Sequence, residues 1–89
     1  MAEAELEINN RLGLHARAAA KVVSVASRYD ASIQVGTGEK MVDARSIMGL
    51  LTLGAARGTT VRVQVTGPEA DAALEELKKL FHERFDEED

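Results

Sequence analysis

The sequence predicts an α+β domain in which helices pack on one side of an antiparallel sheet. Three observations carry that expectation. Four short segments alternate apolar with polar residues, so each strand has one dry face and one wet face. Segments with helical periodicity fall between and after them, in the order strand, helix, strand, strand, helix, strand, helix. The aromatics are only Tyr29, Phe81 and Phe85, so the core must come from Val, Leu, Ile, Met and Ala. Eighty-nine residues make one domain, residues 1–89, able to bury a modest core although cysteine is absent.

Each element follows from its residues. Ala4, Leu6 and Ile8 alternate with Glu3, Glu5 and Glu7, a half-buried first strand. A turn through Gly13 leads into a helix over residues 16 to about 28. One face of it carries Arg17, Lys21, Ser24 and Arg28; the other carries Ala19, Val22, Val23 and Ala26. Residues 32–35 form a strand, Gly36-Thr37-Gly38 a hairpin turn, and residues 40–43 the returning strand. Ser46 suits the N-cap of a short helix and Gly54 its stop. Ile47, Met48, Leu50, Leu51 and Leu53 exceed one narrow stripe, so some are expected at the surface, where apolar groups mark a partner site. Residues 60–66 alternate cleanly through Val61, Val63 and Val65. Gly67-Pro68 is expected to open the last helix, with Pro68 in its first position. Ala70, Ala73, Leu74, Leu77, Leu80 and Phe81 form its buried stripe, extended by Phe85. The acidic residues 86–89 are expected to fray.

Charge singles out the first turn and helix. From Asn9 through Tyr29 no residue is acidic, while Arg11, Arg17, Lys21 and Arg28 are basic, on a chain of net charge -4. A helix beginning just after His15 aims its free first-turn N–H groups and positive dipole end at the imidazole. That arrangement suits an anion, phosphate above all. A structural, helix-capping histidine fits the same position. The functional alternative is a nucleophile that takes a phosphoryl group, then held by the amides of Ala16, Arg17 and Ala18 and the Arg17 guanidinium. Dipole terms of this kind are worth about 0.3–1 kcal/mol when exposed. Such a weak hold suits a group that must be passed on.

Other classes fit less well. Two histidines without cysteine argue against a zinc site, His82 falls among charged helix residues, and no cofactor is expected. The acidic balance and strands without aromatics disfavour nucleic acid. No apolar run reaches membrane-spanning length and the first residues lack a basic, apolar signal, so a cytoplasmic location is expected.

Gly13-Leu14-His15-Ala16-Arg17 with Ala19-Ala20-Lys21, followed by Val42-Asp43-Ala44-Arg45-Ser46-Ile47-Met48-Gly49-Leu50, closely resembles the HPr family over essentially the full length. These are the histidine-containing phosphocarriers of the bacterial phosphoenolpyruvate-dependent sugar phosphotransferase system. The resemblance implies an open-faced sandwich, a four-stranded antiparallel sheet in the order 1-4-2-3 with three helices on one face. It implies that His15 accepts phosphate through Nδ1 from phosphorylated enzyme I and delivers it to IIA domains of sugar permeases. That is a relay, not an enzyme. Arg17 would pair with the phosphate. Lys21, Ser24, Ile47, Met48 and Leu51 would form the docking surface of a monomer, facing acidic partners.

Ser46 is accounted for by a plain N-cap, whereas the resemblance implies a regulatory site for an HPr kinase/phosphorylase, read by a transcription regulator. A regulatory module working through Ser46 and the apolar patch would not need His15. A nitrogen-branch carrier would share the histidine chemistry with other partners. One position departs from the family, which usually has proline where this chain has Ala18. Alanine restores an N–H near the phosphate, so transfer is expected to stay intact while the phosphate is held slightly more tightly.

Overall fold

The computed structural model describes residues 1–86. The strands are β1 (Ala2–Glu7), β2 (Ser32–Thr37), β3 (Lys40–Asp43) and β4 (Thr60–Thr66); the helices are α1 (Ala16–Ser27), α2 (Ile47–Leu53) and α3 (Ala70–His82). All strand pairs are antiparallel, in the order β1-β4-β2-β3. Alternation in sequence becomes two faces in space. Across the sheet Ala4 pairs with Val63, Val63 with Val35, and Val35 with Val42, a continuous apolar row under the helices. On the other face, Glu3, Gln64, Gln34 and Asp43 form a polar row, and Gln64 Nε2 donates to Glu3 at 2.8 Å.

The hairpin is tighter than the Gly36-Thr37-Gly38 signal suggests. Gly36 pairs with Met41 and with Arg62 inside the ladder, and Thr37 pairs with Lys40. Only Gly38 and Glu39 form the loop; Gly38 has φ 59°, the positive angle a two-residue turn requires at its first position.

α3 packs along β1 and β4, α2 over β3 and β2, and α1 against α2 and α3. The buried stripe of α1 is Ala18, Ala19, Val22, Val25 and Ala26. Val23, expected in it, is half-buried, and Val25 takes the place three residues after Val22. α3 buries Ala70, Ala73, Leu74, Leu77 and Phe81, with Leu80 at the edge.

The start of α3 corrects one expectation. Pro68 precedes the helix in a turn closed by the Ala70 N–H donating to Gly67 O at 3.2 Å, and Glu69 is the cap residue. The Glu69 carboxylate does not cap its own helix. It accepts from the Asp30 N–H at 2.7 Å, while the Glu69 N–H donates to Asp30 O at 3.1 Å. The entries to β2 and α3 are thus tied together.

Phe85 does reach the core, but by another route. α3 ends at His82, and Arg84, Phe85 and Asp86 adopt φ of 58°, 55° and 62°. This left-handed turn folds Phe85 back until it is fully buried, its ring centroid 4.8 Å from that of Phe81. Asp86, the first residue of the expected frayed tail, lies in this turn; residues 87–89 are outside the described region. Among the described residues no helix is long and apolar enough to cross a membrane.

Candidate phosphoryl site

The loop after β1 is fixed from below. Ile8 exchanges backbone bonds with the loop before β4, donating to Thr59 O at 2.9 Å and accepting from the Gly58 N–H at 2.8 Å. Asn10 is fully buried and its Nδ2 donates to Gly13 O at 2.7 Å. Gly13 has φ 68°, and a Cβ there would stand 2.6 Å from Ala55 O and 3.0 Å from Ala56 Cα. Only glycine allows both that angle and that approach. The next amide, Leu14 N–H, donates to Ala55 O at 2.9 Å, and the Leu14 side chain enters the core. The backbone that delivers His15 is therefore bolted to the end of α2.

His15 is the N-cap of α1. Its φ and ψ are -81° and -177°, its carbonyl accepts from the Ala19 N–H at 2.8 Å, and its Nδ1 accepts from the Arg17 N–H at 3.3 Å. With Nδ1 accepting, a neutral ring carries its proton on Nε2. The lone pair of Nδ1 thus faces the positive end of a helix whose first turn holds no acidic residue. A 3.3 Å contact is long for a hydrogen bond, so the amide is easily given up to a better acceptor. The ring is half-buried and Arg17 is exposed beside it; Ala18 buries its methyl in the core at the third helical position.

α1 and α2 run alongside each other in opposite directions. Leu14, at the start of α1, bonds Ala55, just after α2; Arg45, just before α2, donates through Nη2 to Tyr29 O, just after α1, at 2.9 Å. Ser46 and His15 consequently sit at opposite ends of α2, separated by about 10 Å of helix. Ser46 caps α2, its hydroxyl accepting from the Gly49 N–H at 3.0 Å, and Gly54 ends the helix at φ 61°. Between the two ends, Ile47 and Met48 are exposed (Met48 71%), Leu51 is half-buried and Leu50 fully buried. Leu12, 61% exposed and three residues before His15, adds an apolar group that the sequence reading left out. Its only sequence signal is an apolar residue inside a turn.

The basic face of α1 is partly spoken for within the molecule. Arg28 pairs with Glu76 of α3, and the same carboxylate accepts from the Tyr29 hydroxyl. The Tyr29 bond, and then Arg28, hold the Glu76 carboxyl below the usual range; the bond to Glu76 raises Tyr29 above its own. The Lys21 ammonium donates to Phe85 O and lies 3.8 Å from Asp86 Oδ2. Ser24 is exposed. Arg17 and Ser24 therefore stay on the outer face of α1, whereas the Lys21 head group is turned to the C-terminal turn.

Residues 2–83 match a family profile described as the PTS HPr component phosphorylation site. The chain is 48% identical over 84 residues to the phosphocarrier protein HPr of Pseudomonas aeruginosa, covering 93% of both chains. It is 45% identical over 85 residues to the phosphocarrier protein NPr of Shewanella violacea, covering 96% of this chain and 93% of that one. Its structure superposes on that of HPr-C-His from Thermoanaerobacter tengcongensis with a TM-score of 0.95 at 40% identity, over 99% of each chain. The sheet order, the histidine-capped first helix and these full-length likenesses agree: the chain belongs to the HPr family of phosphocarrier proteins of the phosphotransferase system.

Proposed function

We propose that His15 takes a phosphoryl group from phosphorylated enzyme I and passes it to IIA domains of sugar permeases. The observation that carries this reading is the Nδ1 lone pair facing the Arg17 amide at the start of α1. Nδ1 attacks phosphorus as the bond between phosphorus and the donor residue of enzyme I breaks, and that bonding pair stays with the donor. The Arg17 amide then releases Nδ1 and donates to a phosphoryl oxygen, joined by the Ala16 and Ala18 amides and the Arg17 guanidinium. Every one of these interactions is made to the product of uptake, and the dipole part, about 0.3–1 kcal/mol at an exposed helix start, is small enough to surrender it.

Docking is assigned to Ser24, Ile47, Met48 and Leu51 with Arg17 beside them, an apolar centre next to a cation, open to acidic partners in a monomer in the cytoplasm; Lys21, expected in this set, has its ammonium on Phe85 O. Regulation through Ser46 is supported by its place at the far end of the same apolar patch. A phosphate there adds about -1.5 to -2 charge at pH 7 where acidic partners must approach, while its oxygens keep the cap. An HPr kinase/phosphorylase would add it and a transcription regulator would read it. The likeness to an NPr protein keeps IIA domains of the nitrogen branch as alternative acceptors.

The test is intact mass after incubation with phosphoenolpyruvate, magnesium and catalytic enzyme I. One acid-labile, base-stable phosphate that is missing from His15→Ala is expected. A folded protein that gains none would leave only the Ser46 module.

A further inference from the structure

We infer that the left-handed turn Arg84–Asp86 is a strap that withholds the Lys21 ammonium from anionic partners and offers it when the strap opens. The inference rests on the phosphocarrier reading only for who that partner is. Lys21 stands one helical turn after Arg17, on the face the docking surface uses. Its side chain is nonetheless 34% exposed and turned across to α3's end, where Nζ donates to Phe85 O and approaches the Asp86 carboxylate. The strap is held shut by burial: Phe85 is fully buried against Phe81.

It is also under load. Three consecutive residues that are not glycine have positive φ, a conformation that crowds Cβ against the carbonyl and that L-residues rarely hold in series. The buried ring, the Lys21 ammonium and the Asp86 N–H bond to Glu83 O at 3.0 Å are set against three unfavourable dihedrals. Such a balance gives a segment that opens locally without unfolding the sheet. When it opens, the ammonium loses its acceptor and joins Arg17 in facing the partner's carboxylates.

The experiment reads the ammonium directly. The folded protein is treated briefly with an amine-acetylating reagent, and acetylation of Lys21 is compared by peptide mass with that of exposed Lys40 in the same molecule. In the parent, Lys21 is expected to react about threefold more slowly than Lys40. Phe85→Ala should bring the two rates together, and Arg84→Gly, which relieves one positive φ, should slow Lys21 relative to Arg84→Ala, which loses the same side chain without that relief. If Phe85→Ala fails to fold, the Arg84 pair still decides: a Lys21 that reacts no more slowly in Arg84→Gly than in Arg84→Ala overturns the strap. Titration with purified enzyme I supplies the second arm. Lys21→Gln should change affinity by less than about twofold in the parent, and by several-fold more in the Phe85→Ala background. Equal losses in both backgrounds would overturn the idea. Absence of any enzyme I binding would instead count against the phosphocarrier reading and leave the acetylation result standing.

Discussion

At the scale of single residues, two positions around His15 make the sharpest predictions. Gly13→Ala combines a positive φ with a Cβ 2.6 Å from Ala55 O, so it should cost about 1–3 kcal/mol of stability in a denaturant titration. It should also slow phosphoryl uptake, because the backbone that carries His15 must move. Ala18→Pro removes one N–H near the phosphoryl group while suiting a first-turn position. The phosphorylated variant is expected to hydrolyse faster than the parent by a small factor, followed by loss of mass over time; slower hydrolysis would contradict the role given to that amide. His15, Arg17 and Gly13 were legible because their signal is local: a basic run, a glycine, a helix start. The reason for Gly13 was not legible, since Ala55 lies far along the chain. The same distance hid the fate of Lys21, whose acceptor at Phe85 is 64 residues away.

Among elements, the fastening of α1 to α3 has a pH signature. Glu76 is held below its ordinary value, first by the Tyr29 hydroxyl and then by Arg28, so its contribution is full above the unfolded carboxylate value and lost as pH falls through the depressed one. Tyr29 is raised, first by the bond to Glu76, so its contribution is full below the ordinary tyrosine value and lost as pH rises through the raised one. Tyr29→Phe should remove the alkaline loss and, because Glu76 is then depressed less, make the acid loss smaller and complete at higher pH, seen in thermal midpoints across pH. At α2, Ser46→Ala removes the bond from the Gly49 N–H and should cost about 1 kcal/mol. Ser46→Asp should keep most of that stability yet slow uptake from enzyme I, measured as initial rate. Helices and strands were legible from period alone, and Ser46 and Gly54 bounded α2 as their chemistry requires. Pro68 falls in the turn before α3 instead of at its first position, and the Glu69–Asp30 bonds beside it are a tertiary contact no local signal encodes.

For the molecule as a whole, one-faced strands were enough to imply an antiparallel sheet covered on one side. Strand order came from the family resemblance, because alternation leaves each strand's neighbours unspecified. The positive island was legible as charge, but its effective size was not. Glu76 and the C-terminal turn engage Arg28 and Lys21, while Arg17 stays exposed beside the histidine. Enzyme I affinity should therefore depend on salt through few charges, with Arg17→Gln flattening that dependence more than Arg28→Gln; a titration at several ionic strengths checks it. The most direct measurement uses protein with 15N in the histidine rings, phosphorylated by enzyme I and observed by 15N and 31P NMR. Phosphorus is expected on Nδ1 of His15, with the Arg17 amide shifted as its acceptor changes from nitrogen to a phosphoryl oxygen. Phosphorus on Nε2, or on a residue other than His15, would contradict it.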